Sequence, residues 1–195
     1  MTEVPTLKEE FEVFRRIAQR CRKVYDTHGK LFSRDAKTAE LLRAIADNFF
    51  NDLADWLADY HIILVARLTD PANTMSRTNL SSLYLVEALR GQNLLTPEIE
   101  GLSSQLTTYR EKIVNWRNKT IVHTDHDAAF TVGPSEAHSL EDVESFHSAL
   151  DGFCSAVSER LKARPLSTIR IAESFHGVSA LIMALKRVQR FGDDR

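Results

Sequence analysis

An arginine, an asparagine and a histidine in the second half of the chain have the types and spacing needed for acid–base chemistry on a phosphodiester. They are Arg117, Asn118 and His123, within residues 116–125. Arginine offers a rigid fork of N–H donors to a phosphorane, and histidine exchanges a proton near neutral pH because its pKa is about 6.5. RNA carries its own nucleophile, the 2′-hydroxyl, so these groups could cleave it without a metal or cofactor. Spacing alone, however, favours a partly buried structural role for His123.

The charge of residues 110–119, which lead up to and include Arg117 and Asn118, differs from that of the whole chain. The formal net charge is −2, so no global positive field attracts nucleic acid or an anionic membrane. The stretch around Glu111 is nevertheless basic, with Arg110, Lys112, Arg117 and Lys119. We therefore predict Arg110, Lys112 and Lys119 as RNA-binding residues, against the alternative that these cations only form the solvated face of a helix.

The elements that must position these residues are predicted to be helices. Apolar residues recur every three or four positions, and glycine is scarce at 7 of 195 residues. Predicted helices cover about residues 6–27, 37–69, 79–90, 97–123, 139–164 and 171–190. This is roughly 70% helix, about twice the usual share, and it predicts an all-α antiparallel bundle. We predict a single domain over residues 1–195, with 164–195 a possible C-terminal helical extension.

Local signals predict where several helices begin and end. Gly29 and Gly91 are predicted stops, and Asp70 before Pro71 ends the second helix because proline disfavours a helical residue before it. Thr96 before Pro97 is a typical N-cap, and residues 139–142 form a capping box. The stretches 69–78 and 124–138 are predicted to be loops.

The second helix is predicted to be the spine of the bundle. Its main apolar row steps by four and three through Leu42, Ala46, Phe49, Leu53, Trp56, Tyr60 and Ile63. A second row is Phe50, Leu57, Leu64 and Leu68. We expect the main row to face a partner helix throughout, and we interpret Trp56 and Trp116 as core residues rather than base-stacking platforms. Because such long faces exceed what one chain can cover, a two-fold homodimer is expected.

Cysteine usage and the N-terminus indicate a cytoplasmic protein. Cys21 and Cys154 lie on predicted apolar faces and form no CxxC pair, which fits a reducing compartment. The first residues lack the basic and apolar runs of a signal peptide. The most apolar stretches are interrupted by charges or are too short to span a bilayer, so no membrane association is expected.

Two stretches resemble one protein family. Trp-Arg-Asn-Lys-Thr-Ile-Val-His-Thr-Asp, residues 116–125, resembles the HEPN signature of an arginine, a polar residue and a histidine after four to six positions. Leu-Thr-Asp-Pro-Ala-Asn, residues 68–73, is similar to the AbiU type of abortive-infection HEPN proteins, and the similarity in element order covers about residues 1–163. The resemblance implies a dimeric helical bundle and a metal-independent endoribonuclease of a defence or toxin–antitoxin system. It also implies that Arg117 binds the phosphate, Asn118 supports it and His123 acts as acid or base.

Two rival functions remain open from the sequence. A metal-dependent phosphohydrolase could use His123, Asp125, His126 and Asp127, with His61 or Asp151 as a further ligand. A non-catalytic dimer could instead bind nucleotide or a protein, such as an antitoxin. Its charged surfaces would be the acidic set Asp47, Asp52, Asp55 and Asp59 and the basic set Arg15, Arg16, Arg20, Arg22 and Lys23. Such sets are more often solvated faces.

Overall fold

The computed structural model describes residues 4–33, 35–116, 139–163 and 177–193. Its helices are α1 (Leu7–His28), α2 (Ala36–Thr69), α3 (Ser82–Gly91), α4 (Pro97–Trp116), α5 (Leu140–Arg160) and α6 (Val178–Asp193). A π-helical turn, Gly29–Ser33, follows α1, and the two-residue strands β1 (Asn73–Thr74) and β2 (Arg77–Thr78) pair as an antiparallel hairpin. The predicted all-α helical bundle is confirmed.

The local signals at helix ends are partly confirmed. Thr96 caps α4, since its hydroxyl accepts from the Ile99 N–H at 3.3 Å, and α5 opens with the predicted Ser139 capping box. The predicted helix start at Asn79 is wrong, because Ser81 is the N-cap of α3 and its hydroxyl accepts from the Tyr84 N–H. Gly29 does not stop the first helical segment, which continues as the π-helical turn, and the predicted loop 69–78 contains the hairpin.

The chain divides by its internal contacts into two compact units. Unit 1 comprises Met1–Cys21 and Ile62–Leu166, and unit 2 comprises Arg22–His61 and Ser167–Arg195. The predicted single domain with a C-terminal extension stays a prediction.

Unit 1 has a core rich in aromatic residues. Phe14 on α1 meets Phe153 on α5 edge to face, with ring centroids 5.6 Å apart, and both side chains are fully buried. Helices α4 and α5 pack closely at Gly152. A Cβ added to this glycine would lie only 3.2 Å from the Leu102 side chain. Tyr109 of α4 and Phe146 of α5 add a second ring contact at 4.9 Å. This packing fixes the position and direction of α4, which ends at Trp116.

Unit 2 is built around a smaller apolar cluster. Leu31, Leu42 and Phe50 are buried, and the partly buried residues packed against them include Leu53 and Leu57 of α2 and Ile182 of α6. Trp56, interpreted from the sequence as core, is 59% exposed, and Phe49 is 53% exposed. The expectation that the row containing these residues faces a partner helix throughout is therefore wrong within this chain. The reason is a kink at Ala46, whose backbone is extended at φ −161° and ψ 72°.

Both cysteines are buried and neither forms a disulfide, as the sequence predicts. Burial raises the pKa of the Cys154 thiol to about 12, which makes it a packing residue and not a nucleophile at neutral pH. None of the described helices is both long enough and apolar enough to cross a membrane.

Candidate functional site

Helix α4 directly precedes the candidate residues in the sequence. Its buried face contains Ile99, Leu106, Tyr109 and Ile113. The described part of the helix ends at Trp116, directly before the expected phosphate ligand. The predicted residues Arg117, Asn118, Lys119 and His123 lie outside the described residues, as do Trp116's side chain and the predicted loop 124–138.

An ion pair joins helix α4 to one of the two stretches that carry the family resemblance, residues 68–73. Arg110 Nε of α4 donates to Asp70 Oδ1 at 3.4 Å, across forty positions of sequence. The side chains are 21% and 28% exposed, so the pair is only partly screened by solvent. Asp70 belongs to the stretch 68–73, and Arg110 lies two helical turns before residue 117. The pair therefore anchors the helix that leads into the candidate site.

The backbone around Asp70 is itself held in place. Its N–H donates to the Ala66 carbonyl at 2.7 Å, as in a last helical turn. Asn79 then fastens the following residues, since its side-chain amide donates to the Pro71 carbonyl at 2.8 Å and to the Thr74 hydroxyl at 2.9 Å. The loop is thus rigidified by short polar contacts, and the Asp70 carboxylate has a defined position from which to hold Arg110.

The second described cation of the predicted RNA-binding set is also paired. Lys112 Nζ donates to Asp142 Oδ1 at 2.6 Å, which joins α4 to the capping box of α5. Hydrogen bonds from Lys112 and from the Ser139 N–H lower the pKa of Asp142 to about 2, so it is ionised at neutral pH. An RNA phosphate that approached Arg110 or Lys112 would have to compete with a carboxylate already in contact.

An open hollow lies beside Asp70 in unit 1. It has a volume of about 290 Å³, and its lining includes Val13, Arg67, Asp70 and Asn79. Arg67 is exposed, so the hollow offers a cation, a carboxylate and an amide next to apolar carbon. Its volume lies just below the usual range of small-molecule sites.

Sequence reasoning placed Asp70 at the end of α2 and in a family-like stretch, but it did not predict the contact with Arg110. The proline after Asp70 accounted for the end of α2, so no contact was predicted for the Asp70 carboxylate. A signal was present, because Asp70 and Arg110 lie in or beside the two stretches that resemble HEPN proteins. No spacing rule could join them, since contacts over forty positions depend on how helices pack.

The ligands considered for a metal site fall in different settings. His61 on α2 is buried, and its ring lies 5.8 Å from that of Tyr25, whereas Asp151 on α5 is exposed. The remaining candidates, in residues 123–127, lie outside the described residues. The phosphohydrolase therefore remains a hypothesis for experiment.

Comparison with protein-family models gives a single informative result. The model of the HEPN family described as AbiU2 matches residues 4–176, which include both stretches quoted above. The comparisons with curated proteins and with solved structures found no match. A match over most of the chain establishes the relationship, and the all-α fold agrees with it. The chain belongs to the AbiU2 family of HEPN proteins.

Proposed function

We propose that this protein is a metal-independent endoribonuclease of a phage-defence or toxin–antitoxin system. The observation that carries the proposal is the family match over residues 4–176, whose matched region contains Arg117, Asn118 and His123. AbiU2 is a family of abortive-infection HEPN proteins, and the resemblance gives these three residues the site roles.

In the proposed reaction His123 removes the proton of an RNA 2′-hydroxyl. The 2′-oxygen attacks the adjacent phosphorus, the bond from phosphorus to the 5′-oxygen breaks, and that oxygen takes up a proton from water, to which His123 later releases the proton that it removed. The products are a 2′,3′-cyclic phosphate and a 5′-hydroxyl. Arg117 stabilises the extra negative charge of the phosphorane, and Asn118 donates to a phosphate oxygen. Acid–base catalysis by one imidazole contributes typically ~10² to 10⁴-fold.

The ion pair between Arg110 and Asp70 supports this reaction by fixing α4. A misplacement of about 1 Å at a reacting group can cost about 10²-fold in rate. Since α4 delivers Arg117, a carboxylate that holds the helix two turns earlier acts as a positioning group. The same pairing means that Arg110 and Lys112 serve RNA binding only if a phosphate displaces their carboxylates, so Lys119 and Arg117 carry the larger share of the proposed phosphate contact.

We further propose that two copies of the chain form a two-fold dimer that brings two Arg117/His123 pairs into one cleft. An endoribonuclease of this kind must be restrained until infection, which gives an antitoxin protein a role as partner. Its RNA substrate lies in the cytoplasm, and two buried cysteines that form no disulfide suit that reducing compartment.

The test is cleavage of a single-stranded RNA labelled with a fluorophore and a quencher, in buffer containing EDTA. We expect wild-type protein to cleave it and to leave cyclic phosphate ends, which mass spectrometry identifies. Arg117→Ala and His123→Ala should each lower the rate by at least about 10²-fold with unchanged circular dichroism. Arg117→Lys should retain only a small part, because lysine keeps the charge and loses the fork.

His126→Ala is the matched control for the histidine. It removes an imidazole three residues away and should leave cleavage in EDTA unchanged. Loss of activity in both histidine variants, with activity that vanishes in EDTA and returns with manganese, would replace the proposal by the phosphohydrolase. Undiminished cleavage by His123→Ala would remove that residue from the mechanism.

A second candidate is a non-catalytic module, and one observation favours it. Arg110 and Lys112, which would form the basic approach to RNA, are each in contact with a carboxylate. A stable dimer that cleaves none of the RNAs offered, with or without metal, would favour this module.

A further inference from the structure

Helix α2 of unit 2 exposes a row of large apolar side chains. Phe49 is 53% exposed, Trp56 is 59% exposed and Tyr60 is 36% exposed. They are spaced by seven and four residues, which places them on one face of an α-helix. Scattered apolar residues on a surface need no explanation, but three aromatic rings in one row form a patch of the kind that marks an interaction site.

This row is not a displaced part of the core. The adjacent residue, Phe50, is only 7% exposed and packs with Leu31 and Leu42. Leu53 and Leu57 lie on the same side as Phe50 and are packed against that cluster. One side of helix α2 therefore already packs against the apolar cluster of unit 2. The row of aromatic rings is additional, exposed apolar surface.

The other border of the row is acidic. Residues 47–60 contain four aspartates, Asp47, Asp52, Asp55 and Asp59, and neither lysine nor arginine. Asp52 and Asp59 are seven residues apart and lie beside Phe49, Trp56 and Tyr60 by helical geometry. Burial, and to a lesser extent the charge of Asp55, raises the pKa of Asp59. Negative charge is concentrated here, and the sequence of this segment supplies no cation to offset it.

We propose that this aromatic–acidic face, formed by Phe49, Trp56, Tyr60, Asp52 and Asp59, binds a cationic amphipathic helix of a second polypeptide. The apolar side of such a helix would cover the aromatic rings, as in helix-in-groove recognition. Its lysine or arginine side chains would pair with Asp52 and Asp59 and lie over the ring of Trp56, where a cation is attracted by the π-system. Aromatic residues are enriched among the side chains that dominate binding energy.

Charge excludes the two other obvious occupants. An RNA phosphate would be repelled by the aspartates, so this face is distinct from any ribonuclease site. A second copy of the chain, docked by a two-fold axis through this face, would place Asp52 and Asp59 against the same acidic helix. Like charges brought together in this way oppose association. The inference does not depend on the proposed ribonuclease activity.

The experiment uses full-length protein and a designed 18-residue peptide of leucine and lysine with helical periodicity, labelled with fluorescein. Two control peptides replace lysine by glutamate or scramble the order of the same residues. We expect the cationic amphipathic peptide to raise fluorescence anisotropy with a saturable Kd, and both controls to bind at least about tenfold more weakly. Affinity should fall as salt is raised, because part of it is electrostatic.

Protein variants locate the contact. Trp56→Ser should weaken binding about tenfold or more, and the pair Asp52→Asn and Asp59→Asn should weaken it severalfold and reduce its salt dependence. Leu140→Ser is the matched control, since Leu140 is a 66% exposed apolar residue on α5 of unit 1, and it should bind like wild type.

Three results would overturn the proposal. The first is equal weakening by Trp56→Ser and Leu140→Ser, and the second is equal binding of the cationic and anionic peptides. The third is a wild-type dimer that Trp56→Ser converts to a monomer in light scattering, because the face would then be a contact between copies. Circular dichroism of each variant separates these outcomes from loss of fold.

Discussion

Charged side chains are arranged differently in the two units of this protein. On α4 of unit 1, Arg110 contacts Asp70 and Lys112 contacts Asp142, so each cation meets a carboxylate from another element. On α2 of unit 2, the segment 47–60 carries four aspartates and no cation, next to three exposed aromatic rings. The first arrangement stabilises the fold that holds the candidate site. The second leaves apolar surface and negative charge exposed among the residues that the structure describes.

The largest expected effect separates two neighbouring phenylalanines of α2. Phe50→Ala should lower the free energy of unfolding by about 3 to 4 kcal/mol, because it removes a buried ring and leaves a cavity. Phe49→Ala should lower it by only about 1 kcal/mol, because that ring is 53% exposed and meets the ring of Phe50 edge to face, with centroids 5.2 Å apart. Urea unfolding followed by circular dichroism measures both. Similar losses in the two variants would mean that Phe49 also belongs to a core, and the aromatic–acidic face would not be free to bind.

These two phenylalanines also show where sequence reasoning failed. The periodicity of α2 correctly predicted a long helix, with an observed start at Ala36 and end at Thr69. It assigned the row of Phe49 and Trp56 to the interior, because a continuous straight helix would keep that row on the side of Leu42. The extended backbone at Ala46 changes the rotation of the helix, and the row of Phe50 becomes the buried one. Period alone cannot locate such a kink.

The next effect concerns the N-cap of α5, the helix whose capping box also contacts Lys112 of α4. Ser139→Ala should lower the free energy of unfolding by about 1 kcal/mol, because its hydroxyl accepts from the Asp142 N–H at 3.1 Å in the capping box. Ser155→Ala on the same helix is the matched control. Ser155 is exposed and its hydroxyl donates to the Asp151 carbonyl, so alanine should be neutral or slightly stabilising there. Thermal unfolding of both variants measures the difference, and equal shifts would contradict a capping role.

The capping box illustrates what the sequence could predict. Ser139 and Asp142 are three residues apart, so the interaction is local and needs no knowledge of packing. The same holds for Thr96 and Pro97 at the start of α4. The contact of Lys112 with the capping box and that of Arg110 with Asp70 are tertiary, and neither was predicted. The site residues 117–123 stay predictions, since they lie outside the described residues.

A smaller effect is expected for the pair that anchors α4. A double-mutant cycle with Arg110→Gln and Asp70→Asn should give a coupling free energy of about 0.5 to 1 kcal/mol, because the pair is partly shielded. The pair of Arg90 and Glu100 is the control, since its side chains are 56% and 59% exposed and its coupling should be close to zero. On the proposed function, Asp70→Asn should also lower the rate of RNA cleavage, while Arg90→Gln should not. Equal coupling in both cycles would remove Asp70 as a positioning group.

The smallest effects concern two aspartates whose pKa values move in opposite directions. In unit 1 the pKa of Asp142 falls from 3.8 to about 2, so its ionisation stabilises the fold above pH 4 and this contribution is lost as the pH falls towards 2. In unit 2 the pKa of Asp59 is raised, so the folded state binds the proton more tightly and stability is lost as the pH rises through the folded pKa. Asp142→Asn should therefore lower stability at neutral pH and weaken its acid dependence, whereas Asp59→Asn should raise stability at neutral pH. Urea midpoints measured from pH 2.5 to pH 7 distinguish the two variants. A loss of stability in Asp59→Asn at neutral pH would show that a cation within the chain already offsets the charge of Asp59. That result would contradict the role proposed for the aromatic–acidic face.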